Sequence, residues 1–498
     1  MALTVGIKHL RDGVEPQSVI LGDRSVIGII GTAGAADAEA FPLNRAVALR
    51  TNDAALRLLL GSSGTVPDAV AGISAQLEGS AEAAQLVVVL VDEGATPAET
   101  IANIVGSEAS KTGIWAFLDA TEDLGLQIGL IVAPGFTSQA VRGLVDPVIT
   151  APGDGGANGT FPLIFTGGTG SGAAGTFTVT GGALTAIAIT NPGSYTVKPT
   201  LTLTNSAGLT GATASVDLEQ LANPIMAAIP TVLDRLEAGF IPEGPTSSRQ
   251  AWLDWLETLP ASRWIFHPLR QDAKTTDAEG DLVTKPLSPY VAALYARRDS
   301  ERNGVPSGSI MNQSIYGLVG VTPSIRLSLT DETSEGQMDL AVSGGIVARG
   351  DVGDVSAPGS TGFTFWGSDT LAAETEWLFA HVVRLRSYIE AGNVAAQKKY
   401  LGKQNITLQS VEAVLNTLRL WLTKLHFDGH ILSPFLVGFD PDQNLPEELR
   451  LGEIDISFAA EEPPVLRRIL IRSRRHRAAL EALAQAISVR LGAIQSTF

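Results

Sequence analysis

Several groups of residues in this chain have the types, and nearly the spacing, for chemistry. Gly168-Thr169-Gly170-Ser171-Gly172-Ala173-Ala174-Gly175 has the glycine density of a phosphate cradle. A dinucleotide loop must follow a strand and open a helix, so that N-terminal amides face the phosphate, whereas this run leads into the strand pattern Thr176-Phe177-Thr178-Val179. Ser171 lacks the flanking spacing of a nucleophile elbow and has no evident His or acid partner. Ser110-Lys111-Thr112 ends like a phosphate-binding loop, but Ser110 stands where the last glycine is needed, and the segment reads as a helix end. His426 and His430 have the i, i+4 spacing of two metal ligands on one helix face. Gly429 lies between them at an expected helix end, so they read as solvent or interface histidines. Glu447-Glu448 and Glu461-Glu462 read as solvated pairs rather than an acid/base dyad. The sequence therefore offers no catalytic, cofactor-binding or metal-ligating set, and the expectation is that the protein is not an enzyme and needs no cofactor.

The strongest charge feature is Arg467, Arg468, Arg472, Arg474, Arg475 and Arg477. Residues 463–498 hold seven Arg against one Glu, a net of +6; with −17 for the whole chain, the remainder is near −23. Nucleic-acid binding would call for interleaved aromatics or a recognition helix, which the cluster lacks. Val465, Ile469 and Ile471 alternate with polar or basic neighbours, a strand pattern flanked by charge. A basic strand on an acidic chain suits an acidic sheet edge of a neighbouring copy better than a nucleic acid. The acceptor expected is Glu453-Ile454-Asp455-Ile456-Ser457-Phe458, which alternates as a half-buried strand. At the other end Leu3, Val5 and Ile7 alternate with polar residues, a second isolated strand.

The elements that would position these segments are of two kinds. Ser25–Gly31, Leu86–Val91 and Gln127–Val132 are continuous apolar runs, the pattern of strands buried on both faces, and helix-length segments separate them. Thr51 or Asn52 is placed to cap the helix DAALRLLLG, Thr96-Pro97 to start another, and Ser247 or Ser248 to cap SSRQAWLDWLETL. This predicts an α/β layer structure. Composition changes at Thr150: residues 151–220 contain fourteen Gly, fourteen Thr and four charged residues, with short alternating strands between Gly-Gly, Asn-Pro-Gly and Ser-Ala-Gly turns. That is an all-β insertion. A helix over about 407–425 is expected to bury Leu408, Val411, Leu415, Leu418 and Leu422. The chain of 498 residues has no cysteine, so disulfides and thiolate metal sites are excluded. It has no apolar run of membrane-spanning length and no signal-peptide pattern, which predicts no direct membrane insertion.

Gly362-Phe363-Thr364-Phe365-Trp366-Gly367-Ser368-Asp369-Thr370-Leu371 runs into TEWLFAHVVRLRSYIEAG. Ser368 or Asp369 is expected to cap that helix, with Leu371, Leu378, Val382, Leu385 and Ile389 on its buried face. As a pattern the segment resembles the C-terminal signature of contractile tail sheath proteins of phages and tailocins: an aromatic-Trp-Gly-x-x-Thr-Leu turn, then a helix ending in Arg-Leu-x-x-Tyr-Ile. FPLNRAVALRTNDAALRLLLG, the strand ending in Ala133-Pro134-Gly135, and the terminal block with Asn444-Leu445-Pro446 resemble further parts of that family. Two places depart from it. Gly304-Val305-Pro306-Ser307 stands where many sheaths have Gly-Val-Trp-x-x-Pro-Ala, and ALEALAQAISVRLGAI continues the tail beyond the bare strand that ends many relatives.

The resemblance implies an α/β (α+β multidomain) chain, with boundaries expected at 1–24 for an N-terminal arm, 25–151 plus 222–335 for the α/β sheath domain, 152–221 for the inserted all-β surface domain, 336–464 for the C-terminal sheath domain and 465–498 for a C-terminal arm. It implies a homopolymer of six-fold helical rings around a tail tube protein, with baseplate and tail terminator proteins as further partners. Such a particle is assembled in the host bacterial cytoplasm and ends as a virion tail or tailocin. Intersubunit arms would carry Leu3, Val5, Ile7, Val465, Arg467, Ile469 and Ile471, and the acceptor strand Glu453, Ile454, Asp455 and Ile456. Lys398, Lys399 and Lys403, just beyond the signature helix, are the cations expected nearest the tube. The rival class is a carbohydrate- or envelope-active enzyme or adhesin using the β segment as an accessory module, which would require a pocket of convergent carboxylates.

Overall fold

The computed structural model describes residues 24–77, 83–203, 208–277, 279–350 and 362–495. The chain divides into two compact units at Pro463/Pro464.

The first unit opens with β1 (Val26–Gly31), β2 (Ala46–Arg50), α1 (Ala54–Leu60), α2 (Thr65–Leu77), β3 (Gln85–Leu90), α3 (Pro97–Val105), a 3-10 helix (Gly113–Asp119), α4 (Ala120–Leu124) and β4 (Ile128–Val132). The expected continuous runs are β1, β3 and β4, and nearly every residue in them is buried. α1 is capped by Asp53, one residue beyond the expected caps, because the Asp53 carboxylate accepts from Leu56 N at 3.0 Å. Thr96 and Ser248 cap as expected.

Among the described residues from 141 to 221 the regular elements are all strands: β5 (Val141–Ala151), β6 (Gly159–Thr166), β7 (Thr169–Thr180), β8 (Ala183–Val197), β9 (Thr200–Leu203) and β10 (Thr213–Leu221). β6 to β9 form a four-stranded sheet and β5–β10 a pair, with Phe177, Val179, Leu163 and Leu184 in a small core of their own. Because Val141 pairs with Leu221, the chain leaves and returns side by side.

Next come α5 (Pro224–Leu236), β11 (Gly239–Phe240), α6 (Arg249–Leu256), β12 (Ser262–Phe266), β13 (Asp272–Thr276), β14 (Leu282–Lys285), α7 (Ser288–Ser300), β15 (Gln313–Ile315), β16 (Gly320–Thr322), α8 (Glu335–Leu340), β17 (Ile346–Arg349), β18 (Phe363–Trp366) and β19 (Thr370–Leu371). β1, β3, β4, β11 and β12 pair in parallel, and antiparallel β2 and β19 close the two edges of a seven-stranded sheet in the order β19-β12-β11-β4-β1-β3-β2. Strands from both sides of the β5–β10 run are thus neighbours in one sheet. A side chain at Gly28 would meet Phe117 of the 3-10 helix, and one at Gly31 would meet Thr65 of α2. Positions three apart point to opposite faces, so helices cover both faces and bury the largest core of the chain.

The first unit ends with α9 (Ala380–Gln397), α10 (Leu408–Phe427), β20 (Leu436–Gly438), α11 (Pro446–Leu451) and β21 (Ser457–Ala459). A second, smaller core lies between α9 and α10, built from Leu385, Ile389, Leu418, Trp421, Leu422 and Leu425. Close approach is permitted by Gly392, where a Cβ would lie 2.6 Å from the Trp421 ring. Leu408 departs from expectation: it is 76% exposed, because it opens α10 on the turn beyond the packed stripe. Among its described residues the second unit contains one helix, α12 (Arg477–Gln495).

Candidate assembly surfaces

The chemistry-bearing residues are scattered by the fold. The glycine run falls inside β7. Lys111 does not end a helix: it sits with positive φ in the turn after α3, where its ammonium pairs with Asp119 at 2.6 Å. His426 lies in α10 with Nδ1 3.2 Å from the Ile431 carbonyl, while His430 lies past the helix end with Nδ1 2.7 Å from Ser307 Oγ. Among the described residues no group of three or more His, Asp or Glu could hold a metal, and no helix is long and apolar enough to cross a membrane.

The signature segment is a mechanical joint. Ser368 and Asp369 do not cap a helix; β19 follows them, a 3-10 turn (Thr375–Trp377) intervenes, and α9 begins only at Ala380. The turn is stitched by backbone bonds from Thr370 N to the Leu378 carbonyl at 2.8 Å and from Ala380 N to the Ser368 carbonyl at 2.9 Å. At Gly367 a Cβ would sit 2.9 Å from the Phe365 ring and 3.2 Å from Gly345 Cα, so a larger residue would force the turn apart. From α9, Arg384 donates two bonds to Asp299 of α7, at 3.0 and 2.5 Å, with both side chains buried. The guanidinium lies 4.7 Å from the Tyr295 ring centroid, and the Tyr295 hydroxyl lies 2.5 Å from His267 Nε2. Burial pushes His267 down to about 3, against a weaker upward pull from the Asp369 backbone. One turn further on, Ser387 donates to Glu237 at 2.7 Å, and Tyr388 packs against Trp421. Residues 384–389 therefore tie α9 to α7 and to Glu237 at the end of α5 on one side, and to α10 on the other.

The expected acceptor segment is only partly a strand. β21 begins at Ser457, and Glu453 to Ile456 lie outside any strand. Asn444 explains why: its amide donates to the Asp455 carbonyl at 2.9 Å and accepts from Asp455 N at 2.8 Å, taking the place of a strand partner. β21 pairs with β20 over three residues, a two-stranded ribbon too small to be stable by itself. Arg386 donates to the Ala460 carbonyl at 2.7 Å and pairs with buried Glu462, and His381 Nε2 donates to the Pro463 carbonyl at 3.1 Å. The strap ends where the first unit ends.

Beyond Pro464, Leu466, Ile469, Leu470 and Ile471 are 70–86% exposed, and residues 464–476 form no strand; the alternation read as a strand lacks a partner sheet in this unit. Val465 and Arg467 lie in the same stretch, outside any helix or strand. Leu3, Val5 and Ile7 lie outside the described residues. Lys398, Lys399 and Lys403 are exposed together at the end of α9 and the following turn. Beside them, a groove of about 420 Å³ is lined by Leu401, Ile406, Val414, Leu418, Ile454 and Ile456. The side-chain oxygens of Asn393 and Gln397, one helical turn apart on its wall, are buried and accept no hydrogen bond. Sequence reading missed Asp299, Arg386 and the Asn444 clamp. The Asn-Leu-Pro step and the Arg-rich helix were signals for the last two; Asp299 carried none.

An α/β body with a seven-stranded sheet is what this geometry defines, and comparison with solved structures gives the same fold. The sheath chain of an extracellular contractile injection system, the PVC sheath complex in its contracted state, superposes with a TM-score of 0.55 at 12% identity, covering 96% of this chain and 99% of that one. In sequence, the putative prophage major tail sheath protein of Pseudomonas aeruginosa (strain UCBPP-PA14) is 25% identical over 46% of this chain, and the tail sheath protein of Burkholderia phage BcepMu is 27% identical over 37%. The matches span 56% and 37% of those relatives, so the chain aligns with about half or less of their length. No family model matches. In sequence, then, the chain is similar to phage and prophage tail sheath proteins over part of its length.

Proposed function

We propose that the chain is a structural subunit that polymerises into the contractile sheath around a tail tube, and that contraction of this sheath drives the tube through a host cell envelope. One observation carries the reading: a row of exposed aliphatic residues, Leu466 to Ile471, follows directly on a unit whose last ribbon, β20–β21, has only two short strands. A lone extended segment gains a ladder of hydrogen bonds only by joining another sheet, and a small ribbon gains stability by accepting one.

In this reading Val465, Arg467, Ile469 and Ile471 of one copy pair beside Glu453, Ile454, Asp455 and Ile456 of a neighbour, and Leu3, Val5 and Ile7 of another copy do the same. The five expected domains, the β5–β10 run as an outward-facing insertion, and Lys398, Lys399 and Lys403 near the tube belong to the same proposal. So do the tube, baseplate and terminator partners and the place in a virion tail or headless particle. The insertion is supported by the Val141–Leu221 pairing: a short Gly/Ser joint in place of residues 142–220, which removes β5 and β10 with the strands between them, would leave β4 and β11 where they are. Negative-stain microscopy of the purified chain tests the whole: tubes or stacked rings support it, and monodisperse single particles at every concentration and salt contradict it.

A further inference from the structure

α12 has nineteen residues and is exposed along its described length in its own unit. Leu480, Leu483, Ala484, Ile487 and Leu491 follow the spacing of one helix face, and the leucines and isoleucine there are 49–60% exposed. Ala478, Ala482, Ala486 and Val489 widen the apolar surface, leaving a narrow polar stripe of Arg477, Glu481, Gln485 and Ser488. A helix this apolar belongs in a core, because most helical stability in proteins comes from packing an apolar face rather than from propensity.

We propose that α12 of one copy packs into the groove beside Ile454 and Ile456 of a second copy, as a helical latch on the sheath subunit contact. The proposal rests on the reading that residues 465–473 pair with that same segment. From Ser473 to Arg477 the chain can span at most about 14 Å, so an arm held at Glu453–Ile456 delivers α12 to the groove that those residues themselves line. The chemistry matches on three counts. The groove has room for several aliphatic side chains, and Leu401, at 81% exposed, stands at its mouth. Its wall holds two buried amide oxygens without donors, and Ser488 and Arg490 flank the apolar stripe of α12 and can supply them. In the proposed contact the acidic residues Glu453 and Asp455 of one copy would lie against the run Arg474, Arg475, Arg477 that leads into α12 of the other.

The absence of cysteine makes disulfide trapping clean. Assembled full-length chains carrying Ile406→Cys with Ile487→Cys, and separately Ser457→Cys with Ile469→Cys as the arm pair, are oxidised and run under denaturing conditions. The expected result is a ladder of covalent multimers from both pairs, with at least a tenfold drop when either cysteine of the first pair is absent. A ladder from the arm pair alone overturns the latch and leaves the arm reading standing; a ladder from the latch pair alone does the reverse. Multimers from Ile487→Cys by itself, meaning α12 against α12, overturn the latch, as does an intramolecular cross-link in the monomer.

Discussion

The seven-stranded sheet and the α9–α10 layer bury their apolar residues to different degrees. Around β1, β3 and β4 almost every Val, Ile and Leu is at 0–2% exposure, and Leu43, Leu58 and Leu59 are isolated exceptions. Between Ala380 and Ala460, eleven large hydrophobics are exposed, including Leu401, Leu408, Phe427, Leu436 and Leu451, and nine more follow between Leu466 and Leu491. Exposed apolar surface of that extent marks an interaction surface, which in the proposed polymer other copies cover. The sheet is built to stay folded; the C-terminal part is built to be completed.

The largest effect is expected at the joint between the two. Asp299→Ala leaves the Arg384 guanidinium buried without its partner, which should cost about 3–5 kcal/mol in denaturant unfolding. Replacing both by Met and Leu should recover most of that loss, since the pair's main role is to satisfy each other.

A direct contrast comes next. Ile29→Ala in the sheet should cost about 2–5 kcal/mol, whereas Leu408→Ser and Leu401→Ser should change monomer stability by no more than about 0.5 kcal/mol. The serine variants should nevertheless slow or block polymerisation, read by light scattering. A surface serine that destabilises the monomer as much as Ile29→Ala would erase the distinction.

Acid tests the joint from another side. His267 has a folded pKa of about 3 against an ordinary 6.5, so it binds its proton in the unfolded chain first, and stability falls as pH drops below 6.5. Between pH 6.5 and 5 that alone is about 2 kcal/mol. Buried His381 moves in the same direction. Asp272, raised to about 6 by burial, and Glu243, raised for the same reason, oppose it: their folded forms take protons first, and stability rises as pH falls. Asp272→Asn removes part of the opposing contribution, so its thermal stability should fall more steeply below pH 6.5 than the parent's.

The smallest effect is expected from charge. Arg467→Glu should slow assembly without abolishing it, because an exposed ion pair contributes at most about 1 kcal/mol. Complete loss of polymer from that change alone would shift the account from strand pairing to electrostatics.

How far the sequence could be read follows from the same contrast. β1, β3 and β4 were legible because continuous apolar runs have one physical use in an α/β layer, and Thr96-Pro97 and Ser248 because a cap needs only its local neighbours. Ser368 and Asp369 misled because the same residue types serve tight turns, and here the Thr370–Leu378 and Ser368–Ala380 backbone bonds decided. Leu408 looked buried by periodicity, yet α10's packed stripe runs through Leu418, Trp421, Leu422 and Leu425. The strand expected at Glu453 was replaced by the Asn444 clamp, and the one expected at Val465 has no partner sheet in its unit. Alternation shows that a segment can pair; it does not show with what.

The central claim is that the residues beyond Pro463 serve assembly and not folding. A chain ending at Pro463 should keep the full-length protein's far-ultraviolet circular dichroism per folded residue and melt within a few degrees of it, yet sediment as a monomer at concentrations where the full chain forms tubes. Tubes from the truncated chain, or a truncated chain that no longer folds, would contradict the account.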